Sequence, residues 1–209
     1  HDRQSLEIFS RRVAETGQIL VEVMAPDALR PQGPALDYLL KVRIIHSAIR
    51  QFIRMGDWDT EEYGEPINQE DQALTLLSFG WMPLEGVEKF QIPLSENEKA
   101  AYLHAWRVAG HFLGIQPDVL TDDTGQAQLL QRTILQRQVA PSEAGRLLTQ
   151  ALIQFSNRNL PLQELRGGPE MLLHFCLDDP ITEALGIRRP YGCLGRLLPV
   201  FLQKLFRLE

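Results

Sequence analysis

One histidine interrupts an otherwise apolar stripe in the segment from Pro34 to Arg54, PALDYLLKVRIIHSAIRQFIR. Leu39, Val42, His46, Ile49 and Ile53 recur at spacings of three and four, which puts them on a single face of a helix turned inward. An imidazole at such a position needs a hydrogen-bond partner or a metal, because a buried polar group left unpaired costs roughly 1 to 3 kcal/mol. Arg43, Arg50 and Arg54 stand on the flanks of that face. Buried imidazole bordered by guanidinium groups suits the ligation of iron in an anionic porphyrin. Taken on this helix alone, a core histidine satisfied by a hydrogen bond inside a helical bundle is the commoner outcome of such a pattern.

Other polar residues fall at spacings that bear on chemistry. Arg12 and Thr16 lie one turn apart on a first helix read over 4–24, whose packing side carries Phe9, Val13, Leu20 and Met24; Arg12 also reaches Glu15. Thr75, on a helix starting after Asn68, is placed to point at a ligand or to bond back to its own backbone. That helix has Asn68 as its N-cap, Asp71 in its first turn, Leu74, Leu77 and Phe79 as core positions and Gly80 at its end. His104 and His111 share one face of a helix over 95–114 with Ala101 and Val108. Seven residues separate them by about 10.5 Å along the axis, too far to share one metal ion.

The elements that must hold these residues are all helical. APDALRPQGP, with three prolines and a glycine, is a loop leading into the His46 helix, and the segment after Arg54 is a second loop as far as Asn68. Ser95 with Glu98 forms a capping box and Gly114 a stop. Two amphipathic helices follow, separated at Pro141. NRNLPLQELRGG is a connection, GPEMLLHFCLDD and ITEALGI make a short helix and a broken one, and His174 is read as a core histidine. The apolar end, YGCLGRLLPVFLQKLFRLE, carries Arg196, Lys204 and Arg207 and is read as a helix docking on the bundle or lying on a membrane surface. No strand-like alternation of useful length occurs. The expectation is therefore an all-α fold: one domain over 1–209, a bundle of about eight to ten helices around a buried pocket.

Composition narrows the function classes. The chain of 209 residues is 44% apolar and 23% charged, ordinary for a globular protein able to enclose a small cofactor. Its net charge of -6 argues against nucleic acid as a partner. Cys176 and Cys193 form neither a disulfide framework nor a zinc pattern and are read as reduced, buried thiols. No apolar run of about 18 residues is present and the start lacks a secretory signal, so a cytoplasmic location is expected, with peripheral membrane contact as the further option. A chain opening on His1 reads as a processed or truncated form with a segment ahead of it.

The motifs KVRIIHSAIR, YGEPINQEDQALTLLSF and AYLHAWRVAGHFLGI, in that order, resemble the oxygenase family that contains the latex clearing proteins and MpaB. The resemblance spans roughly residues 5–115. It implies an all-α fold holding a b-type haem, with His46 as the iron ligand, and it places the haem-pocket arginine and threonine at Arg12 and Thr16. Latex clearing proteins carry a lysine just before that threonine, able to cap the iron; here the position is Glu15, which cannot act as a neutral amine ligand, so the sixth position is open or holds water. The family's catalytic glutamate falls ahead of His1. Arg43, Arg50 and Thr75 complete the expected cofactor contacts, the arginines as partners of the propionates. The function implied is a haem-dependent oxygenase that takes O2 and a small apolar, isoprenoid-like substrate. The alternatives are a haem- or gas-binding protein without turnover and a cofactor-free scaffold of the same fold.

Overall fold

The structure, a computed structural model, describes residues 2–160 and 167–188, with side chains from residue 7 onward. The expected docking helix at 191–209, Cys193 and residues 161–166 of the 157–168 connection lie outside the described residues. Among the described residues all regular structure is helical. The α-helices are α1 (Asp2–Val23), α2 (Pro34–Arg54), α3 (Thr60–Tyr63), α4 (Gln69–Gly80), α5 (Met82–Lys89), α6 (Glu96–Leu113), α7 (Thr124–Gln138), α8 (Glu143–Asn159), α9 (Gly168–Cys176) and α10 (Asp179–Ala184), with one 3-10 turn at Pro117–Val119.

The chain forms two compact units, one of residues 15–84 and 94–136 and the other of 1–14, 85–93 and 137–209. In the first, α2 and α4 both pack on α6. Ala35 and Leu39 of α2 meet Trp106 and Ala109 of α6 in a core that also takes Val23, Ala28, Leu76 and Ile115. Alanine at 35 and 109, both fully buried, lets the helix axes approach closely. The Phe79 and Trp106 rings stack at 5.4 Å between centroids. A second cluster in the same unit joins Leu77, Trp81, Leu84, Leu103 and Ala127.

Helix starts follow their sequence signals. Asn68 caps α4 and Ser95 caps α6, both in complete capping boxes, and Gly114 closes α6 in the left-handed conformation at φ 89°. Two short elements depart from the expectation. The loop after Arg54 contains a single helical turn, α3, because Asp59 accepts from the amides of Glu61 and Glu62. Gly80 ends α4 as expected, but after the buried Trp81 a further short helix, α5, begins at Met82, where none was expected.

In the other unit α8 packs on α9 and α9 on α10. Phe9 meets Phe155 edge to face at 6.4 Å, and Phe90 tilts against Phe175 at 4.9 Å. Lys89 donates to the Cys176 carbonyl at 2.6 Å. The Cys176 thiol is free and half-buried, and its burial raises its pKa above the ordinary thiol value while the Lys89 charge opposes the rise. His174 is half-buried with Nε2 sealed and unpartnered.

Candidate functional site: the His46 face of α2

The stripe on α2 is inward only in part. Leu39 is buried, Val42, His46 and Ile53 are half-buried, and Ile49 is 37% exposed. The packing of α2 on α6 is centred on Ala35 and Leu39, at one end of α2. Beyond it the apolar face is left partly open. Val42 and Ile49 neighbour His46 at i−4 and i+3, and Ile45, 52% exposed, extends that apolar strip around the helix.

His46 Nδ1 is buried with no hydrogen-bond partner. Burial holds the imidazole pKa below its ordinary value, and the positive charge of Arg50 pushes in the same direction. The ring is therefore neutral at neutral pH, the form in which a nitrogen lone pair can bind a metal.

The three flanking arginines have different partners. Arg50 donates from Nε to the Pro66 carbonyl at 3.0 Å and from Nη2 to the Ile67 carbonyl at 2.6 Å. Arg54 closes on the Glu65 carboxylate through Nε at 2.9 Å and Nη2 at 2.6 Å. The exposed Arg43 side chain lies over Gly114, where an added Cβ would come within 2.8 Å of its Nε. Arg43 and Arg50 were expected at haem propionates on charge and helix position; Arg50 has two of its donors committed to backbone.

Thr75 is exposed on α4 and its hydroxyl donates to the Asp71 carbonyl at 2.8 Å, the backbone alternative named for it above. Arg12 and Thr16 are both exposed on α1 and both take part in interactions; Thr16 belongs to the unit of His46 and Arg12 to the other. His104 Nδ1 lies 3.2 Å from Asp122 Oδ2 on an exposed face. His111 is exposed with its ring edge-on to Phe112.

Two glutamines escaped the sequence reading. Gln72, 8% exposed, donates to the carbonyls of Ile67 and Asn68 at 3.2 and 3.4 Å. Gln69 bridges α4 to the end of α6, donating to the Gly114 carbonyl at 3.2 Å and accepting from the Gln116 amide at 2.8 Å. A glutamine in the first turn of a helix ordinarily faces water, so nothing in NQEDQ singles these out. The nearest signal is Ile67, a β-branched residue held at φ 52°, which requires anchoring that the sequence does not display.

Among the described residues no group of three or more His, Cys, Asp or Glu is placed to hold a metal ion, and no helix is long and apolar enough to cross a membrane. A rubber oxygenase of Streptomyces sp. (strain K30) is 25% identical over 145 residues, covering 68% of this chain and 36% of that protein. The fold matches a latex clearing protein in its closed state with a TM-score of 0.83 at 22% identity, over 96% of this chain and 54% of that one. The chain thus spans about a third of the first relative and about half of the second. Residues 1–202 match the family described as ER-bound oxygenase mpaB/B'/Rubber oxygenase, catalytic domain, and the chain belongs to that family.

Proposed function

We propose that this chain forms part of a haem b-dependent oxygenase acting on a small apolar, isoprenoid-like substrate, with His46 as the iron ligand. The observation that carries the reading is a neutral imidazole in the family's first motif whose Nδ1 is sealed within the protein, which leaves Nε2 as the nitrogen for iron. His174 also has an unpartnered buried ring nitrogen, so what sets His46 apart is its place in the family's first motif. The residues around it fit a porphyrin: Val42, Ile45 and Ile49 offer a partly open aliphatic strip beside the ring, suited to one face of a flat macrocycle.

A haem held there supplies an iron that binds and activates O2 for oxidation of a carbon-carbon double bond. The chain's own contribution is to keep His46 unprotonated and to present the ring beside an aliphatic strip that a bound macrocycle would cover. Arg43, at the edge of that helix, is the remaining guanidinium suited to a propionate. The family resemblance assigns Arg12 and Thr16 to the haem pocket; Thr16, in the same unit as His46, would supply a hydroxyl donor there. Thr75 is a weaker cofactor contact, since its hydroxyl is already used.

Purified protein reconstituted with haem should show a Soret band, lost in His46→Ala; a variant with normal haem content would refute the ligand assignment. O2 uptake by the reduced protein in the presence of isoprenoid alkenes then separates an oxygenase from a protein that only binds haem or gas. Haem binding without uptake across a panel of such alkenes would favour the latter.

A further inference from the structure

This inference rests on the haem reading and concerns how the protein sets the electron affinity of the iron. A ligating imidazole ordinarily donates its second ring N–H to an acceptor, which makes the ring more basic and a stronger donor to the metal. His46 has no such acceptor at Nδ1, and the atom is sealed from water. One turn along the same helix stands Arg50, a cation that is both fixed and uncancelled. Its fork is closed by two backbone carbonyls of one segment, at 3.0 and 2.6 Å. Those carbonyls are themselves held: Pro66 is buried, and the Ile67 oxygen takes a further donor from Gln72. Both acceptors are neutral. Arg54, by contrast, spends its charge on the carboxylate of Glu65.

We propose that Arg50 is a positioning residue of the haem site, a clamped charge that, together with the unpaired Nδ1, keeps His46 a weak donor and raises the ferric/ferrous potential. An imidazole without an acceptor pushes less electron density onto the metal. A nearby positive charge disfavours the additional charge of the ferric state. The two effects have the same sign, so the site is built to favour ferrous iron, the state that binds O2.

The test is a spectroelectrochemical titration of the haem-reconstituted protein. In the haem-loaded fraction, Arg50→Gln is expected to shift the couple about tenfold toward ferric, about 59 mV lower for one electron. Arg50→Lys keeps the charge but loses the fork, and should restore most of the potential while remaining as heat-sensitive as Arg50→Gln. An unmoved potential in haem-loaded Arg50→Gln overturns this inference and leaves the haem reading standing. Wild-type protein with no Soret band overturns both. Should Arg50→Gln fail to fold, the ferrous wild type decides by resonance Raman. An iron-histidine stretch at the low end, as for an imidazole without a hydrogen-bonded N–H, supports the inference; a high, imidazolate-like frequency overturns it.

Discussion

The carbonyl of Ile67 accepts hydrogen bonds from Arg50 Nη2 at 2.6 Å and from Gln72 Nε2 at 3.2 Å, so one backbone oxygen ties α2 to the start of α4. Ile67 itself sits at φ 52°, a conformation costly for a β-branched residue, and the two donors hold it there. Arg50→Ala should destabilise the protein by about 2 kcal/mol, because it removes two charge-assisted bonds and leaves the Pro66 carbonyl unpaired, while the Ile67 carbonyl keeps Gln72. Gln72→Ala should cost about 1 kcal/mol. The pair shares an acceptor, so urea unfolding of the double variant should fall short of or exceed the summed losses by at least about 0.5 kcal/mol. Strict additivity would mean that the two donors act on independent parts of the fold.

Gly33 precedes α2 in a turn where an added Cβ would lie 2.2 Å from the Ala28 carbonyl oxygen. That oxygen cannot move aside, since it accepts from the Ala35 amide and Ala28 is buried in the core. Gly33→Ala is expected to cost about 3 kcal/mol, lowering the melting temperature by roughly 6 to 12 °C in a chain of this size. Gly17, mid-helix in α1 with nothing within 4 Å of its added Cβ, supplies the control. Gly17→Ala should be neutral or stabilising by up to about 1 kcal/mol.

The contrast between these two glycines marks what could be read in the chain beforehand. Local signals were legible: Asn68 with Asp71, Ser95 with Glu98, and Gly114 at a left-handed cap all follow from side-chain chemistry within a few residues. The histidine stripe was legible as a helical face but not in its extent. How far along α2 the contact with α6 reaches is set by Ala35 and Ala109, residues more than 70 positions apart, and this leaves Ile49 more open than periodicity implies. Arg50 was visible as a charge, but its partners are carbonyls, which carry no sequence signature. Helices α3 and α5 are too short for periodicity to reveal.

Burial and the Arg50 charge both lower the pKa of His46. The folded apo-protein therefore resists protonating a group that the unfolded chain protonates near pH 6.5. A lowered folded-state pKa adds stability that is present above that value and is lost as pH falls through the folded one. Unfolding in urea should show stability declining from about pH 6.5 downward, and His46→Gln should flatten that part of the curve. A profile identical in the variant would mean the imidazole is as accessible folded as unfolded.

Ser95 fixes the start of α6 and the ionisation of Glu98 together. The Glu98 carboxylate accepts from the Ser95 hydroxyl at 2.6 Å and from its amide at 2.8 Å, and these bonds lower its pKa below the ordinary carboxylate value. A lowered carboxylate pKa supports the fold above the unfolded value and ceases to as pH falls through the folded one. In Ser95→Ala the hydroxyl bond is gone while the amide remains, so the Glu98 pKa should move upward without fully reaching the ordinary range. A pH titration of the Glu98 side chain by NMR reads this directly. Because α6 carries Trp106 and Ala109 against α2, fraying at its first turn should also reduce amide protection on α6 toward acid, earlier in the variant than in the wild type. Protection that is equal in both at every pH would show that packing alone, without the cap, holds the helix start.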